Sequence, residues 1–197
     1  MAFVEALSDP GRARDALSLH RFLLRLCAAL SNAFLWLFLL QWYAGRSGGL
    51  AVAFERTLLL YALAQVVALL LAPFAARLLR GGMRRGLVWG TVFYIASLAY
   101  AGAVVGGIFP HGAIMVALLF GGYRAFYRAP YAVEHAALGQ NARVPLLPEL
   151  LLALMPIAGG IFLQSGVDAS RAPELLFASA ALALVALLIL PRVPQVY

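Results

Sequence analysis

The sequence predicts an all-α membrane protein with six transmembrane helices. Hydrophobic residues make up 64% of the 197 residues and charged residues only 12%, and the mean hydropathy is +0.91. A soluble domain of this length would have too little polar surface to cover its core. The apolar residues also gather into long segments, each near the ~20 residues that a helix needs to cross a bilayer.

The segment ends follow from charged residues and from Gly and Pro. Residues 1–20 are expected to form a cytoplasmic or interfacial lead, in which Ser8 or Asp9 before Pro10 gives a helix-start signal. The first apolar stretch is longer than the core of a signal peptide, so we expect it to be retained. Residues 192–197 are expected to form a cytoplasmic tail. The transmembrane domain, residues 21–191, divides into segments 21–44, 53–79, 86–108, 112–136, 147–164 and 173–190.

The net charge of +7 comes from 15 arginines, with no lysine, against eight acids. Cytoplasmic loops retain positive charge, so the arginines predict the orientation. Those assigned to the cytoplasm are Arg12, Arg14, Arg21, Arg25, Arg77, Arg80, Arg84, Arg85, Arg143 and Arg192. Only Arg46, Arg56 and Arg171 fall on the other side. Both termini are therefore expected in the cytoplasm, with the protein in the inner (cell) membrane and any dimer parallel. A solvated basic face for nucleic acid is not expected.

Patterns typical of enzymes are absent from the sequence. His20, His111 and His135 have no metal-ligand spacing, and the single Cys27 offers neither a disulfide nor a metal cluster. Ser47 lies in a Gly-rich loop rather than in a nucleophile elbow, and no lysine could complete a phosphate-binding loop. We therefore predict no catalytic site, no metal and no cofactor.

The fourth segment contains the most informative residues, two arginines at central depth. A guanidinium at the centre of a bilayer costs at least ~2.5 kcal/mol, so such a group normally faces a bundle interior or a wet cavity. Spacings of three and four place a polar set on one broad helix face. Its members are Tyr123, Arg124, Tyr127, Arg128, Tyr131, Glu134 and His135. Glu134 is ~15 Å along the helix from Arg124, so the central charge has no matching acid on this segment.

A guanidinium without a matching acid offers a planar fork of donors suited to a carboxylate or phosphate. Asn32 and Gln65 add neutral hydrogen-bonding groups at similar depth, Tyr61 is one turn from Gln65, and Arg25 shares the face of Asn32. The predicted partner is a small anionic solute. The predicted substrate-binding residues are Arg124, Arg128, Asn32, Gln65, Tyr61, Tyr127, Tyr123 and Arg25. In the alternative, the arginines bond backbone carbonyls or a neighbouring helix, while Asn32 and Gln65 serve interhelical packing.

Proton coupling would need a titratable group near such a cavity. Glu134 and His135 are the candidates, although a solvated charged cap at the cytoplasmic end of the fourth segment is the favoured interpretation of both. Pro130 lacks a backbone donor and is expected to kink this helix.

Two local motifs and the segment count resemble one half of a major facilitator superfamily (MFS) transporter. The loop Ala76-Arg77-Leu78-Leu79-Arg80-Gly81-Gly82-Met83-Arg84-Arg85 is similar to the family's second-to-third loop, with Arg80 in place of an acid and Met83 in place of a glycine. Met155-Pro156-Ile157-Ala158-Gly159-Gly160 resembles its Gly-Pro-x-x-Gly-Gly in helix five. A positive-inside turn and ordinary small-residue packing are the respective alternatives.

The resemblance implies a bundle with an inverted three-plus-three repeat, which is half of the usual transporter. Two copies with the same orientation could replace the missing half, so we expect a parallel homodimer working by alternating access. The gating or hinge residues would be Pro130, Pro156, Gly159, Gly160, Arg84 and Arg85. The alternative is a non-transporting membrane module, such as a partner subunit, a scaffold or a fragment of a larger carrier.

Overall fold

The structure is a computed structural model that describes residues 10–46, 48–80, 82–137, 154, 157 and 171–192, without the side chains of residues 10–18, 33, 83, 128–137 and 192. Over this part of the chain the protein is helical and has no strand, which confirms the predicted all-α class. The helices are α1 (Pro10–Ala44), α2 (Leu50–Leu79), α3 (Met83–Val105), α4 (Ala113–Ala137) and α5 (Ala172–Ile189), followed by a 3₁₀ turn at Leu190–Arg192.

Four stretches within these helices are long and apolar enough to cross a membrane. They are Leu19–Ala44, Leu50–Leu79, Arg84–Val105 and Ala172–Ile189, and Ala113–Tyr127 forms a shorter apolar helix. This composition is compatible with a multi-pass membrane protein. The predicted fifth segment, residues 147–164, lies outside the described residues, so six spans remain a prediction.

Most helix ends lie within three residues of the predicted ones, and the largest difference is at the start of α1. Helix α1 begins at Pro10 rather than at residue 21, so much of the expected lead continues the first helix. Proline suits the first position of a helix, and no helix breaker beyond Gly11 follows it before Ala44. Helix α3 ends at Val105, three residues early, because Gly106 caps it and Gly107 turns with φ +81°.

The five described helices form a closed ring. Helix α1 packs against α2 and α5, and α4 packs between α2 and α3, which in turn contacts α5. The α1 and α4 backbones, in contrast, do not pack closely on each other along their described lengths. Large side chains of both helices meet across this gap, where Trp36 and Phe120 have ring centroids 5.5 Å apart.

Glycines allow α4 to lie close to both of its neighbours. A Cβ at Gly121 would be 2.7 Å from the carbonyl oxygen of Ala64 on α2. A Cβ at Gly90 of α3 would be 3.0 Å from the backbone nitrogen of Tyr127 on α4. Small residues permit such close helix crossings in membranes. These two crossings fix the segment of α4 that carries Tyr123, Arg124 and Tyr127.

Helix α2 presents a large apolar face outward. Leu58, Leu59, Val66, Leu69 and Leu70 are between 50% and 74% exposed. A contiguous apolar face of this kind would be unfavourable in water and is satisfied by lipid or by another protein. The polar and aromatic side chains of the site lie on the other side of this helix or at its edge.

Candidate functional site

A cavity of about 480 Å³ lies between α1, α2 and α4. Its lining consists of Asn32, Trp36, Tyr61, Phe120, Tyr123, Arg124 and Tyr127. Asn32, Tyr61 and Arg124 are each near the middle of a long helix. The cavity therefore lies far from the helix ends.

The cavity brings together five of the eight residues predicted to bind substrate. These are Asn32, Tyr61, Tyr123, Arg124 and Tyr127, which come from three helices. Tyr123, Arg124 and Tyr127 share one face of α4 because their spacing follows the helical period. The juxtaposition of this face with Asn32 and Tyr61 depends on the tertiary fold.

Arg124 is the one cationic residue among the described residues that line the cavity. Its side chain is partly exposed, and Nη1 donates a hydrogen bond to the Tyr61 hydroxyl at 3.5 Å, the upper limit for such a bond. The acids whose side chains are described, Glu55 and Glu174, are exposed and lie near the starts of α2 and α5. The described side chains thus give this guanidinium, with its five donor hydrogens, one long hydrogen bond to a neutral group.

Asn32 is fixed from α3 by the buried Tyr94. The Tyr94 hydroxyl donates to Oδ1 of Asn32 at 3.1 Å and lies 2.7 Å from Oγ of Ser31. Ser31 also donates to the backbone carbonyl of Cys27 at 2.6 Å. Because this group of hydrogen bonds joins α1 to α3, it orients one polar corner of the cavity.

Aromatic rings form most of the remaining wall. Trp36 meets Tyr61 and Phe120 nearly at right angles, with interplanar angles of 82° and 88°. Tyr123 stacks on Tyr94 with centroids 4.2 Å apart and on Tyr127 at 5.3 Å. Edge-to-face and offset-stacked contacts are the favoured arrangements of aromatic pairs, so these rings hold one another in place.

Other predicted site residues lie apart from the cavity lining. Gln65 is one turn beyond Tyr61 on α2, and its Nε2 is buried without a hydrogen-bond partner among the described residues. Arg25 is half-buried on α1, seven positions before Asn32, and interacts with its surroundings. Arg84 and Arg85 lie in the first turn of α3, half-buried and exposed respectively.

The remaining predicted site residues lie partly or wholly outside the part of the chain that the structure describes. Helix α4 continues without interruption through Pro130 to Ala137, while the side chains of Arg128, Pro130, Glu134 and His135 are outside the described set. Pro156, Gly159 and Gly160 lie entirely outside the described residues. Their proposed roles remain predictions.

Three aromatic residues of the site were not predicted from the sequence. Trp36 is four positions after Asn32, and Phe120 is four positions before Arg124, so each lies on the same helix face as a predicted residue. That periodicity could have identified both. Tyr94 gives no such signal, because its role depends on the contact between α3 and α1.

Comparison of the chain with protein-family models, with curated proteins and with solved structures finds no match. The cavity and its chemistry are therefore the basis of the function proposed below.

Proposed function

We propose that this protein is a half-size secondary transporter, similar to one half of an MFS carrier, that works as a parallel homodimer by alternating access. Its substrate is a small anion or an anionic metabolite. The observation that supports this most is the position of Arg124, at mid-helix depth in a cavity whose described side chains include no carboxylate.

Keeping this charge inside a membrane protein has an energetic cost. A guanidinium remains ionised at any relevant pH and is costly at central depth, so it persists where water or a counter-charge reaches it. The cavity of about 480 Å³ is within the usual size range of small-molecule sites. An anion bound there would complete the hydrogen bonding of Arg124.

The position of the cavity relative to the proposed repeats also favours transport. In transporters with inverted repeats, substrate sites lie near the midplane at the interface of the repeats. Under the proposed three-plus-three division, α1 and α2 belong to the first repeat and α4 begins the second. Helix α4 is held closely against α2 and α3, so the movement that opens or closes the cavity would be a rocking of one protomer of the dimer against the other.

The first experiment measures binding to the purified protein in mild detergent. Thermal stability is recorded against sodium salts of acetate, succinate, benzoate and phosphate. We expect at least one anion to raise the melting temperature, and Arg124→Gln to weaken its binding about tenfold or more, since a charge-assisted hydrogen bond contributes ~1.5–3 kcal/mol. Arg46→Gln is the matched control, because Arg46 is an exposed arginine stacked 4.4 Å from the Trp42 ring centroid, outside the cavity.

The second experiment measures uptake of the bound anion into proteoliposomes. Saturable uptake that Arg124→Gln abolishes and Arg46→Gln retains would support a transporter. The non-transporting alternative predicts that no anion binds and that Arg124→Gln changes only assembly or stability. Glu134 and His135 are the residues to substitute if uptake depends on a proton gradient.

A further inference from the structure

We propose that the cavity selects planar aromatic carboxylates over aliphatic carboxylates and over inorganic phosphate. This inference rests on the proposed anion-binding function and narrows its substrate class. It is carried by the juxtaposition of one guanidinium with an almost continuous aromatic wall.

The cavity has a mostly aromatic lining with one positive charge among its described residues. Apart from Asn32 and Arg124, every described lining residue is aromatic: Trp36, Tyr61, Phe120, Tyr123 and Tyr127. Phosphate is multiply charged near neutral pH, so a site for it would favour more than one cation. This lining provides one cation among its described members, which matches the single charge of a monocarboxylate.

The aromatic rings of the lining are oriented so that a flat ligand ring can contact them. Trp36 is nearly perpendicular to Tyr61 and Phe120, whereas Tyr123 and Tyr127 are roughly parallel, with an interplanar angle of 29°. The wall therefore contains rings in more than one orientation. A flat ligand ring can stack on one and meet the edge of another, and each such aromatic pair is favourable beyond the area that it buries. A saturated ring of similar size lacks these contacts.

The positive charge of Arg124 lies next to the hydroxyl of Tyr61. Nη1 of Arg124 is 3.5 Å from the Tyr61 hydroxyl, so guanidinium and phenol donors lie side by side. A carboxylate has two oxygens and can accept from both groups at once. Tyr61 is at the same time 5.2 Å from Trp36, centroid to centroid. A ligand held at its carboxylate would thus have its ring beside Trp36.

The test uses ligands that differ in one property. Benzoate and cyclohexanecarboxylate share charge and ring size, and benzamide keeps the aromatic ring without the charge. By calorimetric titration of the whole 197-residue chain in detergent, we expect benzoate to bind about threefold to tenfold more tightly than cyclohexanecarboxylate, because an aromatic pair contributes a corresponding free energy. Benzamide and phosphate should bind at least about tenfold more weakly than benzoate.

Two tryptophan variants test the aromatic wall. Trp36→Leu should weaken benzoate binding about threefold to tenfold and leave cyclohexanecarboxylate binding nearly unchanged. Trp89→Leu is the control, since Trp89 is 50% exposed on α3 and does not line the cavity. If Trp36→Leu does not fold, Trp36→Phe keeps a ring at this position and should retain most of the preference for benzoate.

The outcomes separate the two proposals. Equal binding of the two ring carboxylates, tighter binding of phosphate, or equal effects of the two tryptophan variants would overturn the aromatic preference and leave an anion transporter in place. If none of these anions binds, the proposed function itself fails.

Discussion

The hydroxyl of Tyr94 is a small group with a large structural role. Tyr94 is fully buried on α3, and its oxygen joins Ser31 and Asn32 of α1. Buried polar groups that lose their partners destabilise a protein, because no water replaces the missing hydrogen bond. The same contact holds Asn32 at the cavity, so stability and binding are linked here.

We expect Tyr94→Phe to lower the free energy of unfolding by about 1 kcal/mol, within the range measured for hydrogen bonds between membrane helices. The stacked ring is kept, so the loss reports the hydroxyl alone. Anion binding should weaken as well, because Asn32 loses its donor from α3. Melting temperature and ligand titration in the same detergent measure the two effects.

Tyr100→Phe is the matched control for this prediction. Tyr100 also lies on α3, where it stacks on Phe109, and its hydroxyl forms no hydrogen bond with a described residue. Its removal should leave both the melting temperature and the affinity close to those of the wild type. Equal losses in the two variants would contradict the role given to Tyr94.

At the scale of elements, the crossing of α2 and α4 depends on Gly121. The atoms that a new side chain would meet are the Ala64 carbonyl oxygen and the Val67 Cβ, both 2.7 Å from the Cβ position. Neither atom can turn away, because one belongs to the backbone and the other is attached directly to it. Any larger residue at this position must therefore push the helices apart.

Gly121→Ala is expected to cost about 1–3 kcal/mol of stability, as overpacking usually does. It should also widen the space between Tyr61 and Arg124, which lie on the two displaced helices, and so weaken anion binding. Gly49→Ala is the control, since nothing lies within 4 Å of its Cβ position and its backbone is extended at φ 170°. A Gly121→Ala variant as stable as Gly49→Ala would contradict the close crossing.

Apart from the start of α1, the described helix ends could be predicted within three residues, but the arrangement of the helices could not. Gly and charged residues mark the ends of apolar segments, as at Arg46 to Gly49 and Gly106 to Gly107. A helix start at Pro10 was indicated by Ser8 or Asp9 before it, but the polar and charged side chains of residues 10–20 favoured a separate interfacial segment. In the structure these residues belong to the same continuous helix as the first apolar stretch, which begins at Leu19.

The residues on one face of the cavity could likewise be predicted from the sequence, but the cavity itself could not. Arg124, Tyr123 and Tyr127 could be predicted as one face, since the helical period fixes their relation. The gap between α1 and α4 could not, because it depends on bulky rings such as Trp36 and Phe120 meeting across two helices that are distant in sequence. Local periodicity contains no information about such distant partners.

At the scale of the whole molecule, the arginine distribution predicts a single orientation that can be measured. Arg46 is exposed between α1 and α2, and Arg80 is exposed between α2 and α3. The positive-inside rule places Arg80 in the cytoplasm and Arg46 outside. In intact cells, a membrane-impermeant maleimide should label Arg46→Cys and not Arg80→Cys.

The chain is well suited to this labelling experiment. Its single native thiol, Cys27, is buried, and a Cys27→Ala background removes it. Permeabilised cells should label both variants, which controls for reactivity. Labelling of Arg80→Cys alone would invert the proposed topology, and labelling of both in intact cells would indicate a mixed orientation.

The homodimer makes a prediction about mass. In mild detergent, native mass measurement should find a species of twice the chain mass of 21.1 kDa. Crosslinking between two copies of Arg80→Cys, on one side of the membrane, would agree with a parallel arrangement, as would the absence of crosslinks between Arg46→Cys and Arg80→Cys. A species at the monomer mass alone, in native membranes and in detergent, would contradict the dimer.

A shared transport pathway makes the two protomers of a dimer depend on each other. If both copies of Arg124 face one pathway, a single Arg124→Gln protomer should inactivate the whole dimer. Co-expression of equal amounts of wild type and variant, with random pairing, leaves about a quarter of the dimers fully wild type, so uptake per protein should fall to about a quarter. Independent cavities would instead retain about half. Uptake near one half, with both chains present in equal amounts in the proteoliposomes, would show that each bundle works on its own.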